Sequence, residues 1–187
     1  MRKTEVQPSG ALYPVPVVLV SCLDREADRA NVITVAWCGI VASVPPIISV
    51  SIRPSRYSYK LISQEREFVV NIPSSIMLDR VDLCGTISGR DADKVSRCNF
   101  TMVNASKISC PMIMECSANL ECRLNDIVKL GSHDMFVAEV VAAHFDEGIL
   151  SADGKIDFKK AKPIVLNHGE YWDLGKMIGS YGFSSKL

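Results

Sequence analysis

Two arginines three residues apart, Arg53 and Arg56, frame Pro54 and Ser55, and further serine hydroxyls stand close by at Ser51 and Ser58. Arginine presents paired N–H donors to an oxyanion and serine adds a hydroxyl donor, so the cluster suits a phosphate dianion. Ser55, directly after a proline, is a residue type that caps helices, and the spacing predicts a helix running from there toward Leu61-Ile62. A helix start at that place turns orphan amide groups and the positive end of the helix dipole toward the same anion. An ordinary capped surface helix with solvated arginines accounts for the local pattern equally well. A second basic pair, Arg90 and Lys94, falls four residues apart and shares one side if its segment is helical, which makes it a further phosphate contact. Gly89 to Lys94 lacks the second glycine of a P-loop, and the chain contains no Gly-x-Gly-x-x-Gly.

The elements that must position these groups are strands. In the run 47–52, Ile48, Val50 and Ile52 share one face while Ser49, Ser51 and Arg53 share the other, so one face is core and the other polar. Upstream, 31–39 is rich in β-branched residues and reads as a strand in which Asn31 and Thr34 need polar partners. A buried strand is predicted over 15–23, with the charged connection 24–29 making a hairpin. Further strands are expected at 67–72, 112–125, 135–145 and 163–167, and a helix at 76–84. In 112–125 the even positions from Met112 to Leu124 are apolar and the odd positions from Glu115 to Asn125 polar, which predicts one buried and one wet face. The strand at 135–145 is apolar on both faces apart from Glu139 and His144 and belongs inside the sheet. Residues 1–13 read as an arm, and glycines at 175, 179 and 182 loosen a tail over 174–187. Many short strands without regular strand–helix alternation predict a mainly β fold, a closed antiparallel barrel with a few helical insertions.

With 187 residues the chain fits one domain. Its 21 basic and 21 acidic residues balance and 48% of it is hydrophobic, so neither disorder nor an electrostatic grip on nucleic acid is indicated, and a local basic cluster implies a local ligand. No apolar run approaches the ~20 residues of a membrane span, and Met1 to Glu5 are not followed by an apolar signal core, so a cytoplasmic protein is expected. Seven cysteines without a Cys-x-x-Cys pair argue against a disulfide framework and against a paired zinc site. Cys110, Cys116 and Cys122, six residues apart, would sit ~20 Å apart per interval in one strand and could not share an ion, so no metal is expected.

The motifs in order are Asn31-x-x-Thr34-Val35-Ala36-Trp37-x-Gly39, then Pro45-Pro46 with Ser51-Ile52-Arg53-Pro54-x-Arg56-Tyr57-Ser58-Tyr59, then Ser88-Gly89-Arg90-Asp91-x-Asp93-Lys94. Later come Leu130-Gly131-Ser132-His133-Asp134-Met135-Phe136-Val137 and Tyr171-x-x-Leu174-Gly175-x-x-Ile178-Gly179. From about Pro14 to Phe183 the chain resembles the flavin-reductase-like family of FMN-binding split barrels, and within it the flavoredoxin branch. The resemblance implies a Greek-key split β-barrel with FMN bound non-covalently, usually at the interface of a homodimer, its isoalloxazine ring against the strand from Asn31 through Thr34, Ala36 and Trp37 to Cys38. By the same carry-over Arg53, Arg56 and Ser58 hold the phosphate, with Ser51 a weaker contact and Arg90 and Lys94 closing over the phosphate or the ribityl chain.

His133 occupies the place where related reductases carry Gly-Asp-His near the nicotinamide, which makes it the catalytic candidate. Here Ser132 replaces the acidic residue and Ala138 replaces a frequent glycine, departures that put direct NAD(P)H use in question. Cys38 reads as a packing residue, because nothing positive adjoins it in sequence to lower its pKa. The expectation is an FMN oxidoreductase with NAD(P)H as donor and a free flavin, an iron centre or a partner protein as acceptor. An FMN electron carrier without reductase turnover, or a non-catalytic binding protein on the same barrel, is the alternative.

Overall fold

The computed structural model describes residues 1–186. Residues 1–13 carry no helix or strand and are almost wholly exposed, after which the chain enters β1 (Val15–Pro16) and β2 (Val18–Asp24). In β2, Val18, Val20 and Cys22 alternate with Leu19 and Ser21, and both sets are buried, which explains why this stretch is apolar without a polar face. The tight connection after Asp24 returns the chain antiparallel as β3 (Arg29–Val35), and β4 (Cys38–Ser43) and β5 (Pro46–Ile52) form the next hairpin.

Beyond β5 come α1 (Tyr57–Glu65) and β6 (Glu67–Ile72), then a 3-10 turn over Ser75–Met77 leading into α2 (Leu78–Thr86). After α3 (Lys94–Arg97) two short strands, β7 (Met102–Val103) and β8 (Met112–Ile113), pair with each other. The long strands β9 (Ala118–Lys129) and β10 (Asp134–Phe145) follow. The chain closes with α4 (Phe158–Ala161), β11 (Ile164–Asn167) and β12 (Glu170–Asp173).

The principal sheet runs β3-β2-β6-β9-β10-β5-β4 with every neighbouring pair antiparallel. β3 and β4 are consecutive in sequence yet form the two outer edges, so no ladder joins them and the barrel stays split, with β3 facing the end of β5 across the opening. The β4–β5 ladder continues one step beyond β4, where the Ser51 amide donates to the Trp37 carbonyl at 2.8 Å. Inside the barrel Val20, Ile33, Val50, Phe68 and Phe136 pack together, and α1 plugs this core with Leu61 and Ile62. Outside it, α2 lays Val81 and Cys84 over Leu19 and Val32, so β2 and β3 are covered on their second face as well. β1, β11 and β12 form a small separate sheet against this second layer.

The structure corrects the expected strand at 112–125. A turn in which Cys116 N–H donates to Ile113 O separates β8 from β9, Met114 points outward, and of the polar residues expected on a wet face Asn119 and Glu121 are buried, whereas Arg123 and Asn125 are exposed as expected. Glu121 has no exposure at all and accepts hydrogen bonds from Ser106 N–H (2.7 Å), Ser106 Oγ (2.8 Å) and Lys107 N–H (2.7 Å), with His144 Nε2 at 2.6 Å. Burial alone would raise this carboxyl, and the converging donors outweigh it, holding its pKa at about 2. β10 lies inside the sheet between β9 and β5, as its apolar faces suggest. The tail from 174 to 180 carries no regular structure and Phe183–Lys186 form a 3-10 turn, while Leu187 of the expected tail lies outside the described residues.

Candidate functional site

The split between β3 and β5 opens into two adjoining cavities that share Ile33, Arg53 and Arg56. The first, about 180 Å³, is floored by the backbone of β3 and walled by Ala36, Trp37, Ser51 and His133. The second, about 380 Å³, lies between the start of α1 and the segment from Cys84 to Lys94. β3 pairs with β2 on one side only, so alternate N–H and C=O groups of its other edge face the split without a strand partner.

Four cations, Arg53, Arg56, Arg90 and Lys94, line the second cavity, and among the described residues none forms an ion pair with a carboxylate. Arg56 is the N-cap of α1 without a side-chain cap, and the first turn of that helix carries no acidic residue. This corrects the expected cap at Ser55. The turn in which Arg56 N–H donates to Arg53 O shifts the helix start by one residue, leaving Ser55 in the cavity wall. The helix dipole and the first amides of α1 therefore lie open beside the arginines.

Arg90 and Lys94 do not share a helix. Arg90 lies in the turn before α3, its guanidinium 5.4 Å from the Tyr57 ring centre and 3.4 Å from the Ser55 carbonyl on the facing wall. Lys94 opens α3, behind the Asp93 carboxylate that accepts Ser96 N–H. The Lys94 ammonium is buried and donates to the Cys84 and Ile87 carbonyls at 3.1 and 3.2 Å, closing the C-terminal end of α2. Burial lowers its pKa, and two of its three donors are committed to the fold.

The polar residues expected on β3 find partners within the protein. Asn31 donates to Ser58 Oγ at 2.7 Å and sits behind the second cavity rather than on its wall, whereas Ser58 lines it and retains its own hydroxyl proton. Thr34 lines the first cavity but donates its hydroxyl to Val81 O at 2.5 Å, tying β3 to α2. Ala36, Trp37 and Ser51 face the first cavity, while Cys38 packs against the barrel core, where burial pushes its thiol up to about 11. That keeps it a thiol at neutral pH, in keeping with a packing role.

Two features of the site were hidden in the sequence. Gly89 sits so close to Asn31 that a Cβ there would lie 1.9 Å from Asn31 Oδ1, and Arg29 grips the Gly89 carbonyl at 2.9 Å. The Tyr57 hydroxyl donates to the buried Asp24 carboxylate at 2.5 Å, anchoring the start of α1 to the β2–β3 turn. Burial alone would raise Asp24, and the Tyr57 and Ala27 hydrogen bonds outweigh it and lower its pKa. A glycine flanked by Ser88 and Arg90 was the available signal for the first; only a folded chain could reveal the second.

At the mouth of the first cavity His133 lies 4.3 Å, centre to centre, from the Trp37 ring. Its Nε2 is 3.3 Å from Arg53 Nε and its Nδ1 is 3.1 Å from Ser132 Oγ. Burial, then the charges of Arg53 and Arg56, lower its pKa. The turn that carries it is closed by Asp134, which accepts the Tyr59 hydroxyl at 2.7 Å, the Lys129 ammonium at 3.0 Å and the Leu130 amide at 3.3 Å.

A family model described as a flavin reductase like domain matches residues 10–175. An uncharacterised protein of Archaeoglobus fulgidus is 36% identical over 157 residues, covering 84% of this chain and 86% of that protein. Among solved structures, flavoredoxin of Desulfovibrio vulgaris (Miyazaki F) superposes with a TM-score of 0.91 at 30% identity over 100% of both chains. An FMN-binding protein from Thermus thermophilus, solved with bound 1-cyclohex-2-enone, does so with a TM-score of 0.81 at 26% identity, covering 96% of this chain and 99% of that one.

Proposed function

The chain belongs to the flavin reductase-like domain family, and from that premise we propose that it is an FMN-dependent oxidoreductase holding its flavin non-covalently across the two cavities. The observation that carries the reading is the second cavity itself, with four cations that lack carboxylate partners among the described residues and an uncapped helix start. Lys94 is buried and Arg53, Arg56 and Arg90 are exposed around it, so four like charges converge on one cavity where an anion relieves their mutual repulsion and can be reached from solvent. A phosphate monoester does so here: Arg56 and Arg90 supply fork-shaped donors, the Ser58 hydroxyl and the α1 amides add neutral ones, and Lys94 contributes mainly charge. The open edge of β3 supplies alternating donors and acceptors for the polar edge of a flat heteroaromatic ring, with Trp37 and Ser51 beside it.

When bound, FMN supplies one- and two-electron transfer. The protein orients it, neutralises its phosphate and limits water at the ring through Trp37 and His133. NAD(P)H as donor makes the protein a reductase. The second reading, an FMN electron carrier, draws support from the contact of His133 with Trp37, which narrows the space beside the ring, and from the likeness to flavoredoxin. A homodimer with FMN at its interface fits either reading: β4 is an edge strand, paired with β5 on one side only, and Ile40, Val41 and Val44 are exposed on and beside it.

The test is to saturate purified protein with FMN, remove the excess, and follow the visible spectrum under anaerobic NADH or NADPH. Prompt bleaching supports the reductase. Bleaching by dithionite alone supports the carrier. A colourless protein contradicts both.

A further inference from the structure

His133 is held by more contacts than a side chain that must move with substrate would need. Arg53 Nε carries a hydrogen and can only donate, so the 3.3 Å contact makes His133 Nε2 the acceptor. A neutral imidazole then carries its one proton on Nδ1, where Ser132 Oγ at 3.1 Å can accept it. Neither ring nitrogen is left for a reacting group in the first cavity. Arg53 lines both cavities, and with Nε engaged its four Nη hydrogens meet no acceptor among the described residues.

We propose that His133 is a positioning residue for Arg53: a neutral imidazole, protonated on Nδ1, that holds the guanidinium by its Nε edge so that the Nη donors stay free for the anionic ligand at the junction of the two cavities. The proposal rests on the flavin reading for the identity of that ligand, and replaces an acid–base or donor-contact role for His133 with a structural one directed at the cofactor. The surroundings favour the neutral form. Arg53 and Arg56 face the ring from the β5–α1 connection, Trp37 covers it from the β3–β4 link, and Lys129 and Asp134 neutralise one another at the base of its own turn. Protonation removes the acceptor lone pair and places a third cation beside the two arginines, so Arg53 is released as pH falls and held again as it rises.

Two measurements test this. In the first, the ring nitrogens of His133 are observed by ¹⁵N NMR in the FMN-free protein, with His133→Gln identifying its signals. The Nδ1–H tautomer at pH 8, converting to imidazolium on acidification, is expected; the Nε2–H tautomer overturns the pairing whether or not FMN binds. In the second, FMN is titrated by fluorescence quenching between pH 5.5 and 8. His133→Phe, which keeps a ring against Trp37 but offers no acceptor, weakens binding about fivefold at pH 8, the worth of one modest hydrogen bond. His133→Gln, whose amide oxygen reaches the Nε2 position, stays within twofold of wild type, and the His133-linked part of the affinity change with pH is absent from both variants. His133→Phe binding as tightly as wild type at pH 8 overturns the positioning role. Wild-type protein that binds no FMN overturns the flavin reading, while the NMR result still decides the pairing.

Discussion

Gly89→Ala probes the point at which the loop over the second cavity meets the barrel. The added methyl would stand 1.9 Å from Asn31 Oδ1, 2.8 Å from its Cγ and 3.2 Å from Tyr57 Cδ1, so one partner has to give. Asn31 cannot swing without losing its 2.7 Å bond to Ser58, and the loop cannot lift without stretching the 2.9 Å bond from Arg29 to the Gly89 carbonyl. Overpacking of this kind costs ~1–3 kcal/mol and the lost hydrogen bond about 1 more. For a chain of this size a total of ~2–4 kcal/mol lowers Tm by roughly 4–15 °C. Moving Ser88 and Arg90 outward also removes a charged contact to the ligand, which weakens FMN binding roughly tenfold or more. Thermal unfolding of the FMN-free protein and an FMN titration read the two effects separately. A variant with wild-type Tm and wild-type FMN affinity would refute the close packing of Gly89 on Asn31 and the contribution of this loop to the site.

Further outcomes follow from the same geometry. Arg56→Ala removes a cation that no carboxylate pairs with, so FMN affinity drops tenfold to several hundredfold while unfolding in urea stays within ~0.5 kcal/mol of wild type; titration and denaturation on one preparation check both. Glu121, with its folded pKa at about 2 against an ordinary 4.5, contributes stability that is fully present above pH 4.5 and is lost as pH falls toward 2. That loss amounts to as much as ~3 kcal/mol, and Glu121→Gln, already weakened at neutral pH, should show a flatter acid limb in urea midpoints measured from pH 7 to 2.5. Charging the outer face of β4 with Val41→Lys should shift the sedimentation coefficient from dimer to monomer, and a wild-type protein already monomeric with FMN bound would contradict the interface.

The parts of the fold visible in the sequence were those set by local alternation. Ile48, Val50 and Ile52 against Ser49 and Ser51 placed β5 and its polar exit, and the clustering of Arg53, Arg56 and Ser58 was legible as one group, which lines the second cavity, because all three come from one short segment. What escaped depended on distant chain. Glu121 looks like a solvated strand residue until Ser106 and Lys107 are brought over it and His144 beside it, since a carboxylate can be buried only where donors converge. The four-residue spacing of Arg90 and Lys94 suggested a shared helical face, but the chain turns at Gly89, pressed against Asn31, and Lys94 is drawn inward to the carbonyl end of α2. Ser55 carried the chemistry of a helix cap and lost the position to Arg56, because the turn after Arg53 uses one residue more than the sequence pattern assumed.

The central claim, that the split between β3 and β5 is an FMN site, is tested most directly by gel filtration of the protein after incubation with FMN, with the visible spectrum taken across the protein peak. A flavin spectrum co-eluting at about one FMN per chain in wild type and strongly reduced in Arg56→Ala is the result expected. A protein peak without flavin absorbance at saturating FMN would contradict the account.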